Sequence, residues 1–200
     1  MQAPTQLRAR RTIFRILAAP GSPLEGARYP STTLRALAEH AGLSTGAIYQ
    51  WFPGKAAVAE ALAERHVETL GQALLARARD GGESWRALIA AVLTAACDAH
   101  AAHPRAHRFL YGRAPRTDAV RAALDSLERG LEETLATRLV TEEALDATEA
   151  RHRAALAVRA GNALLHGYVL DDGLPGDLSA RLGRAIAAVV RMAGPGSHEA

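Results

Sequence analysis

Three sets of residues carry types and spacings that invite chemistry. Gly42-Leu43-Ser44-Thr45-Gly46 fits the G-x-S-x-G pattern of a nucleophile elbow, whose serine attacks an acyl carbon once a histidine such as His100 or His166 takes its proton. That turn needs a strand before the serine and a sheet around it, whereas Leu34 to Ala41 has helical spacing and the chain offers no strand run. His100, His103 and His107, with Cys97 one turn earlier, stand at the i, i+3, i+7 spacing of metal ligands on one helix face, but Pro104 interrupts that face. Cys97 then reads as a small buried hydrophobe, and the histidines as partners for the last carbonyls of a helix. No flanking cation lowers the thiol pKa for redox sensing. The expectation is a protein that is not an enzyme and uses no metal or cofactor, with a Ser44 hydrolase as the minor alternative.

The third set suits nucleic acid. Leu34, Leu37, Ala38 and Ala41 repeat at i, i+3, i+4, i+7, and Gly42 supplies a residue comfortable at positive φ where that helix ends. Ser44 can cap a second short helix, which runs through Ala47 and Ile48 to about Trp51 before Pro53-Gly54 breaks the chain. The pair has the logic of a helix-turn-helix: small Ala38 permits close crossing, Gly42 turns the chain and Ile48 plugs the second helix into the core. Ser44, Thr45 and Ala47 are left pointing outward at the end that enters a major groove, where serine, threonine and glutamine groups reach base edges.

Charge agrees with that placement. Residues 1 to 55 carry seven basic residues against Glu25 and Glu39, a surplus of five positive charges, so the remainder has a net charge of minus two within a total of +3. A basic quarter joined to a slightly acidic remainder is the asymmetry of a nucleic-acid-binding head on another kind of body.

The run from Thr32 to Lys55, and above all Ala41-Gly42-Leu43-Ser44-x-Gly46-x-x-Tyr49-x-x-Phe52-x-x-Lys55, resembles the DNA-binding domain of the TetR family of transcriptional regulators, over roughly residues 8 to 70. The resemblance implies phosphate contacts at Thr33, Tyr49, Trp51 and Lys55, and base reading at Ser44, Thr45, Ala47 and Gln50. Lys55 is the one lysine of a chain with 23 arginines, and its ammonium suits a phosphate as a compact point charge. The chain departs from the family where Pro20 and Pro23 shorten the first helix, where Trp51 replaces a usual histidine, and where Ala56 replaces a frequent glutamate.

The elements that must position these residues are helical throughout. With 45 alanines, 48% hydrophobic and 22% charged residues, the chain favours helix and can bury a real core. A short helix over residues 6 to 19 stops at Pro20-Gly21-Ser22-Pro23. A long helix begins near Lys55 and ends at Gly81-Gly82. Trp85 to His100 hold helical spacing until Pro104, and a short helix through Phe109 and Leu110 stops by Pro115. Further helices follow from Val120 to Leu139, Leu156 to Leu170 and Leu178 to Val190. The fold class is all-α: a helix-turn-helix DNA-binding domain over residues 1 to 54, then a larger helical ligand-binding and dimerisation domain over 55 to 200, linked by the helix at about 55 to 80. Every apolar run is far shorter than the ~18 residues of a membrane span, and a single cysteine allows no internal disulfide, which together predict a cytoplasmic protein.

The family resemblance implies a cavity in the body that binds a small-molecule effector, with Trp85, Phe109, Tyr111, Asn162, His166 and Tyr168 as candidate lining. It also implies a homodimer, for which small Ala157, Ala160, Gly161, Ala163 and Gly167 allow close helix approach. The predicted function is a repressor that binds a palindromic double-stranded DNA operator and is released by its effector; the alternative is a ligand-independent DNA-binding regulator.

Overall fold

A computed structural model describes residues 31–80, 84–102, 117–171 and 177–194 of the chain. Seven α-helices follow in order among them: α1 (Leu34–His40), α2 (Thr45–Tyr49), α3 (Lys55–Asp80), α4 (Trp85–Ala102), α5 (Asp118–Glu143), α6 (Ala147–Leu164) and α7 (Leu178–Ala193). A π-helical turn at Leu165–Val169 continues α6, closed by the bond from Leu170 N–H to the Leu165 carbonyl at 2.9 Å. The described residues contain no strand. The expected helices over residues 6 to 19 and through Phe109 and Leu110 lie outside the described residues.

Two compact units form. One holds residues 31–67 and 117–121, the head, and the other holds 68–80, 84–102, 122–171 and 177–194, the body. In the head, α1 and α2 bury Leu34, Leu37, Ala38 and Ile48 against Phe52 and against Val58, Ala61 and Leu62 of the first turns of α3. At the start of α5, the Thr117 hydroxyl accepts from Val120 N–H at 3.2 Å and donates to Glu64 Oε1 at 3.4 Å.

The body buries two apolar clusters. The first joins Trp85, Leu88, Ile89 and Leu93 of α4 to Leu135 and Leu139 of α5, Ala150, Ala154 and Ala157 of α6, and Val189 and Ala193 of α7. The second joins Leu74 of α3, Ala96 and Cys97 of α4, Leu165 and Val169 of the π turn, and Ala185 of α7. Helices approach closely where glycine allows it: a Cβ built on Gly130 would meet Leu75 Cδ2 at 2.6 Å, and one on Gly161 would meet Leu93 Cδ2 at 3.3 Å.

One boundary needs correcting. The helix expected from Leu156 to Leu170 begins at Ala147, and its final turn is π-helical. Asp146 starts it by accepting from Thr148 N–H at 2.9 Å and Glu149 N–H at 3.1 Å. Its first buried positions, Ala150 and Ala154, are too small to mark an apolar stripe by eye. These N-cap bonds, Glu149 first and then Thr148, hold the Asp146 carboxyl below its ordinary range.

Candidate nucleic-acid interface

The head builds its turn from backbone rules that the residue types satisfy. Thr33 precedes α1 in extended backbone, and its Oγ1 accepts from Ala36 N–H at 3.1 Å. After His40 the chain enters the left-handed region at Gly42, φ 66°. Leu43 N–H then reaches back to the Ala38 carbonyl at 2.9 Å and Gly42 N–H to the Glu39 carbonyl at 3.1 Å, the paired closure that satisfies the orphan carbonyls of a helix end. Leu43 packs against the core as it leaves the turn.

Ser44 starts α2 in the same way, its Oγ accepting from Ala47 N–H at 3.1 Å. Ile48 is fully buried, so the helix is pinned by its inner face. Thr45, Gly46, Tyr49 and Gln50 are exposed, Tyr49 at 56%, while Ala47 is half-buried. Phe52 N–H returns to the Ile48 carbonyl at 2.9 Å and buries its ring beside Val58. Trp51 packs part of its indole on that core and is half-buried; Lys55, also half-buried, opens α3.

Of the site residues expected in the head, Ser44, Thr45, Ala47, Tyr49, Gln50 and Trp51 lie on α2 or at its ends, while Thr33 caps α1 and Lys55 opens α3. The structure adds that the oxygens of Ser44 and Thr33 already accept backbone N–H groups. A capping hydroxyl keeps its own hydrogen, so each can still donate outward. Ser44 follows helix α1, with no strand before it, and its Oγ is held as a cap rather than presented at a strand-to-helix elbow.

The candidate effector residues are divided. Trp85 is fully buried in the first body cluster: its Nε1–H donates to Glu143 Oε1 at 2.6 Å, its backbone N–H donates to Glu142 Oε2 at 2.9 Å, and Arg86 lies over the indole at 4.1 Å. The bond from Trp85 is the main reason the Glu143 carboxyl sits below its ordinary range. Asn162, His166 and Tyr168 instead lie together at the end of α6 and in the π turn. His166 Nδ1 donates to the Asn162 carbonyl at 2.9 Å, and Arg184 Nε donates to the Tyr168 hydroxyl at 2.5 Å. Phe109 and Tyr111 lie outside the described residues.

Two residues near the π turn were not among the expected effector positions. His100, buried on α4, meets the His166 ring at 5.2 Å between centroids, and burial holds the His166 imidazole below its ordinary pKa. Arg181, buried on α7, donates to the Asp171 carbonyl. Its place between Leu178 and Ala185 in the apolar stripe of α7 was the available signal. Cys97 is buried among Leu74, Leu165 and Ala185, and burial first, then Asp98, pushes its thiol pKa up, which makes it a poor nucleophile. Among the described residues no three His, Cys, Asp or Glu side chains gather to hold a metal, and no helix is long and apolar enough to cross a membrane. His103 and His107 lie outside those residues.

Residues 29–62 match the model for bacterial regulatory proteins of the tetR family, and residues 84–193, more than half of the chain, match that for the tetracyclin repressor-like C-terminal domain. The chain belongs to the TetR family. It is therefore a transcriptional regulator with a DNA-binding helix-turn-helix, followed by the family's helical C-terminal domain. Solved structures agree on the fold. A protein with unknown function from Rhodococcus sp. RHA1 superposes with a TM-score of 0.66 at 24% identity, over 91% of this chain and 93% of that one. A transcriptional regulator of the TetR/AcrR family from Thermobifida fusca gives 0.65 at 16% identity, over 99% and 100%. A TetR-family regulator from Streptomyces coelicolor gives 0.65 at 16% identity, over 96% and 82%. No curated protein matches the chain in sequence.

Proposed function

We propose that this TetR-family regulator is a repressor that binds a palindromic operator as a homodimer and leaves it when a small molecule occupies the body. The observation that carries the DNA-binding part is α2 itself: Ile48 is anchored in the core while Thr45, Tyr49 and Gln50 stand exposed around it. Thr45, Gln50, Ser44 and Ala47 read base edges; Thr33, Tyr49, Trp51 and Lys55 contact phosphates. We assign DNA reading to residues 1 to 54 and effector binding and dimerisation to residues 55 to 200, linked by the helix at about 55 to 80.

Exposure on the last two helices supports pairing with a second copy. Leu156 is 54% exposed on α6 and Met192 43% exposed on α7. Ala163 on α6, Gly167 in the π turn, and Gly183 and Ala187 on α7 are exposed small residues, and a Cβ added at Gly167 or Gly183 would meet nothing within 4 Å. Such surfaces let helices of two subunits approach closely and bury apolar area. Asn162, His166 and Tyr168 at the π turn are the effector contacts assigned within the described residues, and the resemblance adds Phe109 and Tyr111 from outside them; Trp85, fully buried in the other body cluster and bonded to Glu142 and Glu143, drops out of the set. A π turn inside an α-helix often marks a functional site.

Release then follows from linkage. An effector that prefers the body in a conformation with wrongly spaced heads weakens operator binding by the same factor by which operator weakens effector binding. Substitutions test the roles. Lys55→Ala should weaken binding to all duplexes alike, whereas Thr45→Ala and Gln50→Ala should shift base preference by about 1–3 kcal/mol per contacted base pair. Equal behaviour of the three variants across a panel of single-base operator changes would contradict the assignment.

A further inference from the structure

The interior of the body is apolar with two exceptions. Among its described residues, His100 on α4 and Arg181 on α7 are the only buried side chains that are polar or charged, at 3% and 7% exposure. A guanidinium taken out of water carries a desolvation cost that an apolar side chain of similar length does not, so a core that needs only packing does not select one. The fold brings both groups to one level.

That level follows from two helices running in opposite directions. A Cβ on Gly194, at the end of α7, would meet the Trp85 ring at the start of α4 at 3.4 Å. One on Gly161 would meet Leu93 at 3.3 Å and Val189 at 3.9 Å, so those two residues face the same point of α6. Cys97 and Ala185 share the second apolar cluster. As α4 advances from 85 through 93 to 97, α7 runs back from 194 through 189 to 185, and one further turn sets His100 level with Arg181. At Cys97, where burial and then Asp98 raise the thiol pKa, Arg181 opposes them, which places its charge within reach of that turn. His166 joins the layer from the π turn, its ring 5.2 Å from that of His100 between centroids. The Asp171 carbonyl accepts from Arg181 and fixes the guanidinium there. The acidic side chains next to this layer, Asp98 and Asp171, are exposed, whereas Leu165 and Leu182, the chain neighbours of His166 and Arg181, pack in the second apolar cluster with Leu74.

We infer that the effector is a carboxylic acid on an apolar frame, its carboxylate received by Arg181 beside the His100 and His166 imidazoles and its frame by the aliphatic residues of that cluster. The inference rests on the effector reading above and adds to it a chemical class and two residues, Arg181 and His100. A guanidinium presents paired N–H groups that match the two oxygens of a carboxylate. The primary amide of the same acid has nearly the same shape, but it offers one acceptor oxygen and turns an NH2 group toward the cation. Preference for an acid over its own amide therefore reports a cation in the site, which an arginine serving only to hold the Asp171 carbonyl does not produce.

The test uses the full-length protein and a library of aliphatic and aromatic carboxylic acids, each beside the primary amide and the primary amine of the same frame, with binding read at neutral pH as a rise in melting temperature and then by titration of each hit. The expected result is an acid that binds about tenfold or more tighter than its amide, with that preference lost in Arg181→Met. Methionine keeps apolar length at a buried position, and replacing buried charge by such a side chain is often neutral or stabilising, so the variant should fold. If it does not melt cooperatively, Arg181→Lys, which keeps the charge and loses the fork, should reduce the preference instead. Acids that bind no better than their amides overturn the inference, and so does a preference that survives both substitutions. Binding of amides or amines without the acids overturns the carboxylate and leaves the effector reading standing. A library in which nothing binds defeats both.

Discussion

Head and body keep their cores in different ways. The head closes its core around a few large side chains, with Leu37, Ile48 and Phe52 buried at 0%, 0% and 1% exposure, and its turns are set by residues chosen for backbone geometry, Gly42 and Ser44. In the body the large buried groups, Trp85, Leu88, Leu135 and Leu139, come from α4 and α5, whereas α6 faces the interior with Ala150, Ala154, Ala157 and Gly161 and no large side chain among its buried residues. A core closed on a few large groups is sensitive to what is removed, and a helix face of close-packed alanines such as that of α6 to what is added.

The sharpest way to break this contrast is to exchange the two kinds of damage. Ile48→Ala should destabilise the head by about 2–5 kcal/mol and abolish DNA binding, as followed by denaturant unfolding and duplex binding. Ala154→Leu should destabilise the body by about 1–3 kcal/mol through overpacking, with the head's binding residues untouched. A near-neutral result for Ala154→Leu would show that the interior around α6 has room to give.

A smaller, paired effect compares two left-handed residues. The head uses Gly42 at φ 66°, whereas the body's turn between α5 and α6 places Ala144 at φ 52°. Gly42→Ala should cost about 1 kcal/mol and Ala144→Gly should gain up to about as much, both read as shifts in melting temperature. Shifts of the same sign would contradict the backbone explanation.

The smallest effects are in pH, and they belong to the body. Burial lowers the folded pKa of His166, so the unfolded chain takes up a proton first as pH falls below about 6.5, and stability declines from there. Glu143 is also lowered, chiefly by the Trp85 indole, and its contribution is present above about pH 4.3 and lost as pH falls through the folded value. Melting temperature measured from pH 8 to pH 3 should therefore fall in two stages. His166→Phe should flatten the first and Glu143→Gln should reduce the second, to which the lowered Asp146 carboxyl also contributes.

Much of the head was legible because its signals are local. Gly42 marks a left-handed residue, Ser44 a cap and Ile48 the buried point of a five-residue helix, and each acts within a few positions of itself. The body hides its signals. The start of α6 was missed because its inner face is alanine, although Asp146 followed by Glu149 at the capping spacing was available. The partner of the Trp85 indole lies 58 residues along the chain, beyond any local pattern. Arg181 was passed over because a charged residue defaults to the surface, and here the fold buries it behind the π turn. The head's motif also carried the family, which helical periodicity in the body could not.

The most direct measurement is selection of bound duplexes from a random library by the purified full-length protein at near-physiological salt. A paired reading head predicts enrichment of a palindrome whose half-sites lie about 34–36 Å apart, or a multiple of that distance. Enrichment of no sequence, or of a single unpaired half-site, would contradict a dimeric regulator that reads an operator through α2.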